Sequence, residues 1–401
     1  REASLSSLFN IDRPLESLSV SLQNAQQNDI MTLGNTTYLL KRTKASTVKS
    51  GIDYKYHQST YLFSEDDLLL LSGNDAAHEI TAFGENTWQH KGLALTFGAR
   101  LTYYSADKGW YLDPKMQLAY TIDEHHSFKA SAHYAHQYTR QINYESRLGQ
   151  SSDYLVLADG NQFPVGSSLQ FMLGHTFRKN NWLIDMELYH KNLDGTLEYA
   201  LQIPGFDGDF SSVKNRSYKI FSGKGRVYGL DLLVRKEWKH FETQIAYTLS
   251  KSLRQFKEIR RNLPFPAQDD RRHQLKWLSS YHLGRFKLSA NFIYSSGKPY
   301  FAINELSAQN TRSELPRTAI RNLPSYQRID LGIDYSFHFF SQKSTLGFSC
   351  FNITDHQNVK YLQYIFSIPT DSRIGAPLRT VVGSETTLLG RTLNFRFRLE
   401  F

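Results

Sequence analysis

RTLNFRFRLEF, residues 391–401, ends the chain and carries the pattern on which the fold turns. Leu393, Phe395, Phe397, Leu399 and Phe401 fall on one side of an extended chain, and Thr392, Asn394, Arg396, Arg398 and Glu400 on the other. Side chains in a strand alternate with a period of two, so one face is apolar and the other charged. A soluble sandwich with an oily interior and a wet exterior gives the same local pattern. One strand leaves both readings open.

The alternation recurs upstream. Ile329, Leu331, Ile333, Tyr335 and Phe337 oppose Arg328, Asp330, Gly332, Asp334 and Ser336. Leu93, Leu95, Phe97, Ala99, Leu101 and Tyr103 oppose Thr96, Gly98, Arg100 and Thr102. Tyr228, Leu230, Leu232, Val234 and Trp238 oppose Gly229, Asp231 and Arg235, with Leu233 the exception; Ile184, Met186 and Leu188 oppose Asp185 and Glu187. About sixteen such segments follow one another, many ~10 or more residues long, as tilted membrane-spanning strands require.

Connection lengths separate the two readings. Glu124–Ser127, Lys179–Asn181, Lys239–Phe241, Gly284–Phe286 and Ser341–Lys343 are tight, and long polar stretches lie between them at 141–166, 200–224, 257–270, 301–324 and 358–390. A barrel with short periplasmic turns and long outer loops has this sidedness, whereas a sandwich has no reason for it. Counted from the C-terminus, both chain ends are expected on the periplasmic side. Tyr103, Tyr104, Trp110 and Tyr111 are candidates for one interfacial girdle, and Trp182, Trp238 and Phe241 for the other. The predicted fold class is all-β, a transmembrane antiparallel β-barrel of outer-membrane type.

Composition agrees. Of the 401 residues 14% are aromatic and 21% charged, mean hydropathy is −0.48, and no run approaches the ~18–20 apolar residues of a membrane helix. The single cysteine, Cys350, excludes a disulfide framework and a cysteine-rich metal site. The net charge of +9 is scattered over turns and strand ends with no basic helix, so no nucleic-acid partner is expected. Arg1 follows no charged n-region or apolar h-region; the leader an exported protein needs is expected to have been removed or to lie outside this sequence.

Ordered stretches along the chain resemble the barrel of TonB-dependent outer-membrane transporters. They are EITAFGENTW (79–88), FGARLTYY (97–104), DPKMQLAY (113–120), GSSLQFMLG (166–174), MELYHKNLDGTLEY (186–199), GRVYGLDLLVRKEW (225–238), YTLSKSLRQF (247–256), DDRRHQLKW (269–277), SSGKPY (295–300), LPSYQRIDLGIDYSF (323–337) and FNITDHQNVKY (351–361). They most resemble the Bacteroidetes branch whose full-length members begin with a carboxypeptidase-regulatory-like domain, and are unlike the glycan-importing SusC branch. The resemblance covers residues 79–401 most clearly. It implies a 22-strand barrel around a plug, so the plug, the TonB box and the first strands are expected outside residues 1–401, which form the C-terminal part of the barrel.

What the resemblance implies is energy-coupled uptake of a scarce nutrient across the outer membrane of a Gram-negative bacterium. The cargo class stays open among small molecules, glycans, peptides and metal chelates. The implied partners are outer-membrane lipid, the TonB–ExbB–ExbD complex acting through the plug, and, in some relatives, a surface lipoprotein. A passive sixteen-strand porin and a structural or adhesive outer-membrane protein are the alternatives.

No catalytic constellation stands out, and neither enzyme activity nor a cofactor is expected. His125, His126, His133 and His136 lack a carboxylate or cysteine at metal spacing. Asp207 and Asp209 could hold Ca²⁺ in an outer loop, although a solvated loop accounts for them as well. The lumen-wall candidates for plug or substrate contact are Arg100, Asp185, Glu187, Asp231, Arg235, Arg328, Asp330 and Asp334; in an open pore they would tune ion selectivity. Tyr361, Tyr364 and Phe366 are loop aromatics that could stack on a sugar or a siderophore.

Overall fold

The computed structural model describes residues 24–65, 68–145, 151–202, 217–301, 320–340, 342–367 and 380–400. One antiparallel sheet of sixteen strands dominates it. It begins with β1 (Asn24–Arg42), β2 (Ser46–Glu65), β3 (Leu68–His90), β4 (Leu93–Tyr104), β5 (Gly109–Thr121) and β6 (His126–Gln137). A side hairpin, β7 (Thr139–Glu145) with β8 (Ser151–Leu157), precedes β9 (Gly166–Lys179), β10 (Trp182–Gln202), β11 (Ser217–Glu237) and β12 (Phe241–Gln255). The two-residue β13 (Phe265–Pro266) pairs with β12 outside the main path, which continues through β14 (His273–Leu283) and β15 (Phe286–Ser295). A second side hairpin, β16 (Pro299–Phe301) with β17 (Ile320–Asn322), leads to β18 (Tyr326–Phe339) and β19 (Gln342–Phe351); a third, β20 (Val359–Ser367) with β21 (Thr380–Thr387), leads to β22 (Thr392–Glu400). Among the described residues β1 pairs with β2 alone and β22 with β19 alone. Leu18, Val20 and Leu22, whose alternation in the sequence marks a first strand, lie with residue 1 outside the described residues.

Register carries the alternation sideways. Leu288, Ile333, Phe348 and Phe395 stand opposite one another on β15, β18, β19 and β22, and Leu188, Leu230 and Leu249 on β10, β11 and β12. The exposure of the two faces is inverted relative to a soluble protein. Phe395 is 70% and Leu173 62% exposed, whereas Asp53 and Glu79 are 6% exposed on the other face. An apolar exterior of this extent, with no second sheet packed on it among the described residues, suits hydrocarbon and not water. The soluble sandwich is thereby excluded. Leu233, the exception to the alternation, faces inward between Asp185 and Ala246.

The inner ends turn tightly for chemical reasons. Lys91–Gly92 and Asn180–Asn181 are two-residue loops with positive φ at both positions, the hairpin geometry that follows the strands' own twist. Gly284 (φ 59°) opens the β14–β15 turn, where a residue without Cβ adopts that angle freely. Between β5 and β6, Asp123 accepts the backbone N–H of His125 (2.7 Å) and His126 (2.8 Å), which holds its carboxyl below the usual aspartate value. All the long connections fall at the opposite ends.

Two expectations need correction. Tyr103 and Trp110 stand together on the lipid side, 5.3 Å between ring centres, but Tyr104 and Tyr111 do not belong to that girdle. They are on the inner face, where Tyr104 stacks on Tyr138 and Tyr111 meets Tyr138 edge-on. The stretches 141–166 and 358–390 are also more ordered than polar loops, since each contains a hairpin.

Leu331 lies on the lipid face near the middle of β18, and its neighbour Gly332 faces the lumen, where the small Ser289 hydroxyl is the nearest obstacle to a Cβ. Leu331→Arg should therefore cost about 2–4 kcal/mol in a denaturant titration of the membrane-inserted protein. Gly332→Arg, two residues from both Asp330 and Asp334 on a wet face, should cost clearly less. The reverse order would invert the assignment of faces.

Candidate functional site: the lumen wall and its outer mouth

The inner face of β1–β4 carries the most buried polar network. Asp53 accepts the Thr36 hydroxyl at 2.7 Å and lies 3.3 Å from the Lys55 ammonium and 3.2 Å from the Arg100 guanidinium. Lys55 also reaches Glu79 at 2.9 Å, whose other oxygen is 3.1 Å from His57 Nε2; His57 Nδ1 lies 3.0 Å from the Thr32 hydroxyl. Adjacent strands place these groups opposite one another, so the wall neutralises its own charge. The lone Arg100 expected from sequence is thus one corner of a network whose other members went unread.

The other predicted charges behave alike. Asp185 and Glu187 share the Lys129 ammonium, from β6 across β9, and Asp185 also accepts the Thr176 hydroxyl at 2.6 Å. Asp231 accepts Thr248 at 2.6 Å. Arg235 lies 2.5 Å from Glu237 and 2.9 Å from Glu242 close to the inner rim. Arg328 pairs with Asp330 at 3.0 Å and sits over the Phe351 ring, and Asp334 accepts Arg396 at 2.8 Å. All eight residues are on the inner face, spread around the sheet and not gathered into one pocket. Their partners sit on the neighbouring strand, on the next strand but one, or two residues along the same strand; the cross-strand pairs require the register and so could not be found by spacing.

Above this wall the β7–β8 hairpin folds back over the inner side of the sheet. Ile142, Tyr154, Val156 and Phe163 pack with Tyr61, Phe63 and Leu71 of β2 and β3, and Leu197 of β10 and Ile220 of β11 join the cluster. β2 and β10 are six places apart in the sheet, so the hairpin bridges the outer mouth. Polar contacts fix it there. The Asn28 side-chain amide donates to the Leu155 carbonyl (3.0 Å) and accepts its N–H (2.9 Å), standing in for a strand partner. The Ser59 hydroxyl also donates to Leu155, and Arg140 donates to the Gly195 carbonyl. Burial, with Arg254 adding repulsion, holds the Arg140 guanidinium below its ordinary value, and burial pushes the Tyr154 phenol up to about 12. The alternation of Tyr138, Arg140 and Ile142, then Tyr154 and Val156, was the available signal.

Of the predicted loop residues, Tyr361, Tyr364 and Phe366 lie on β20 in the third side hairpin, with the Lys360 ammonium 5.7 Å from the Tyr361 ring centre. Asp207 and Asp209 lie outside the described residues. No group of three or more potential metal ligands occurs among the described residues.

A sheet with an apolar exterior, a charged interior and all elaborate connections on one side is the wall of an outer-membrane β-barrel. The family model described as "TonB dependent receptor-like, beta-barrel" matches residues 6–353, and the chain belongs to that family. It therefore resides in the outer membrane of a Gram-negative bacterium. A comparison with curated protein sequences yields no match. Among solved structures the chain is similar to the copper transporter OprC (13% identity, TM-score 0.59, 94% of this chain and 57% of that one). It is also similar to the FrpB iron transporter of Neisseria meningitidis (14%, 0.58, 93% and 55%) and the siderophore receptor PirA of Acinetobacter baumannii (10%, 0.56, 83% and 51%). The chain spans about half the length of these solved proteins.

The two ion networks differ in burial, and that decides their worth. Glu79 and His57 are 8% exposed at the side chain, whereas Lys129, Asp185 and Glu187 are 25–32% exposed. Glu79→Ala leaves the buried His57 without its carboxylate, while Lys55 keeps Asp53, and should destabilise the barrel by about 3 kcal/mol. Lys129→Met, in a wetter site, should cost about 1 kcal/mol or less. Thermal unfolding of both variants in one detergent measures the contrast.

Proposed function

We propose that this chain is the C-terminal part of the barrel of an energy-coupled importer, in which TonB pulls on a plug to open a path through the lumen. The reading rests above all on the family match over residues 6–353. In this role the wall residues Arg100, Asp185, Glu187, Asp231, Arg235, Arg328, Asp330 and Asp334 meet plug or substrate, and the outer hairpins, with Tyr361, Tyr364 and Phe366, meet cargo. The chain performs no chemistry; it supplies wall, anchorage and recognition. The solved structures it resembles are named for iron, siderophores and copper, which favours a metal chelate as cargo over a glycan or peptide. The quoted motifs favour the Bacteroidetes branch. A surface lipoprotein is an optional partner.

A functional test uses the full-length protein in cells. Chelate uptake should collapse when TonB is deleted or the proton gradient is discharged, whereas passage through a passive porin would continue at its former rate.

The larger-barrel reading is supported by the end strands. Among the described residues β1 and β22 each have one neighbour, and an unpaired strand edge facing hydrocarbon costs several kcal/mol per backbone group. Residues 1–401 alone should therefore give no heat-resistant band on unboiled gels, and the full-length protein should give one. A heat-resistant species from residues 1–401 would transfer the assignment to a self-closed porin.

A further inference from the structure

Register gives His126 a partner that lies 49 residues along the chain. His126 opens β6 and stands opposite Phe177 on β9; two positions further along β6, Phe128 stands opposite His175. Both imidazoles therefore fall on the lipid-facing side, in line with the exposed Leu173. They meet across the strand pair, His126 Nδ1 3.1 Å from His175 Nε2, with the ring planes 11° apart. Phe128 stacks on His175, ring centres 4.5 Å apart, and Phe177 leans on His126 at 5.0 Å. Two adjacent strands and two aromatic rings thus hold the imidazoles in place.

The pair lies at the inner interface. Through β9 and β10, His126 is level with Ile184 and His175 with Met186, two and four positions above Trp182. For strands tilted by about 40° that is roughly 5 and 10 Å above the Trp182 girdle, within reach of periplasmic water. Asp123, whose carboxylate accepts the backbone N–H groups of His125 and His126, stands in the turn beside them. Among the described residues this is the one place where two imidazoles meet nitrogen to nitrogen.

A hydrogen bond between two neutral imidazoles uses one proton and one lone pair. Neither ring has a second hydrogen-bond partner among the described residues, so the far nitrogens, His126 Nε2 and His175 Nδ1, can hold that proton instead. When the donor ring moves its proton to its far nitrogen, both facing nitrogens present lone pairs and no proton is lost. With metal–nitrogen bonds of about 2.1 Å, nitrogens 3.1 Å apart subtend roughly 95° at a shared ion. That is close to the right angle between neighbouring ligands of a square-planar or octahedral ion. Packing against lipid alone is served by apolar side chains, as at Phe171 and Leu173 on the same strand.

We propose that His126 and His175 form a two-point site for a late first-row divalent cation, Cu²⁺ above all, with water in the remaining positions and the Asp123 charge nearby. Imidazole nitrogens suit that class, and affinity for such a site peaks at Cu²⁺. Mg²⁺ and Ca²⁺ take oxygen ligands and do not compete. The bound ion ties β6 to β9 at the inner rim. The site is on the outside of the wall and does not depend on what passes through the lumen.

The test uses the full-length receptor, purified without a histidine tag and titrated with Cu²⁺ in detergent under electron paramagnetic resonance. The wild type should show a bound ion whose hyperfine pattern comes from two imidazole nitrogens. H126Q and H175Q should each abolish that pattern and weaken binding at the site on the order of a hundred-fold, because losing either arm loses the chelate. H90Q/H338Q, which removes two histidines from other inner strand ends, should match the wild type. Heat-modifiable migration of every variant establishes that the barrels are folded. In a second arm, Ca²⁺ in large excess should leave the copper signal intact. Absence of a two-nitrogen signal from the wild type, its survival in H126Q or H175Q, equal loss in H90Q/H338Q, or displacement by Ca²⁺ would each overturn the proposal.

Discussion

A peptide N–H or C=O facing hydrocarbon has no water to turn to, and each one left unpaired costs several kcal/mol. Every spanning strand must therefore be bonded on both sides throughout its depth, and much of this molecule follows from that condition. The lateral ladder runs without a register shift through the spanning part of the described sheet; the shifts on β2 and β10, at Phe63/Ser64 and Asp194/Thr196, lie at the outer ends. There water can satisfy a displaced backbone group, and a bulge bends the strand without penalty from lipid.

The same condition dictates where charge can go. A sheet with lipid on one side has to place its ionisable groups on the other, and they gather there at high density. Self-neutralisation across adjacent strands is what makes the density tolerable, as in the Asp53–Lys55–Glu79–His57 network. The single-strand view of a charged lumen, in which each residue waits for plug or cargo, understates this. Any ligand moving along the wall competes with partners already in place, so a tightly gripping path is not what these residues form by themselves.

How much of this was legible followed from the range of the interactions. Alternation is local, and so the strands, their facing and even the deviation at Leu233 could be read from consecutive residues. Turn chemistry is local too, as Asn180–Asn181 and Gly284 show. The partner of Asp185, by contrast, is Lys129, 56 residues away and on the far side of β9. Nothing short of the register brings those two together. The β7–β8 hairpin was concealed for another reason: its strands have seven residues each, and polar residues flank its few apolar ones. Tyr104 and Tyr111 were assigned to the wrong side because aromatic residues at a strand end suit both an interfacial girdle and a capped mouth, and only the facing parity distinguishes them.

The two ends of the barrel are built under different rules. At the inner end the chain reverses in a few residues, and the side chains there serve the turn or the interface, as Lys236 does with the Asn180 carbonyl and the Trp182 ring. At the outer end the wall's stability is already secured by the ladder below, so insertions are tolerated. The β7–β8 hairpin uses that freedom in a definite way. It is pinned by an apolar cluster drawn from both sides of the mouth and by the reciprocal Asn28–Leu155 pair. Releasing it would expose Phe63, Tyr154 and Val156 to water at a cost of about 1.5–3 kcal/mol for each large side chain. A segment held that firmly is a fixed part of the wall at its outer end, and not a flap that swings free of it.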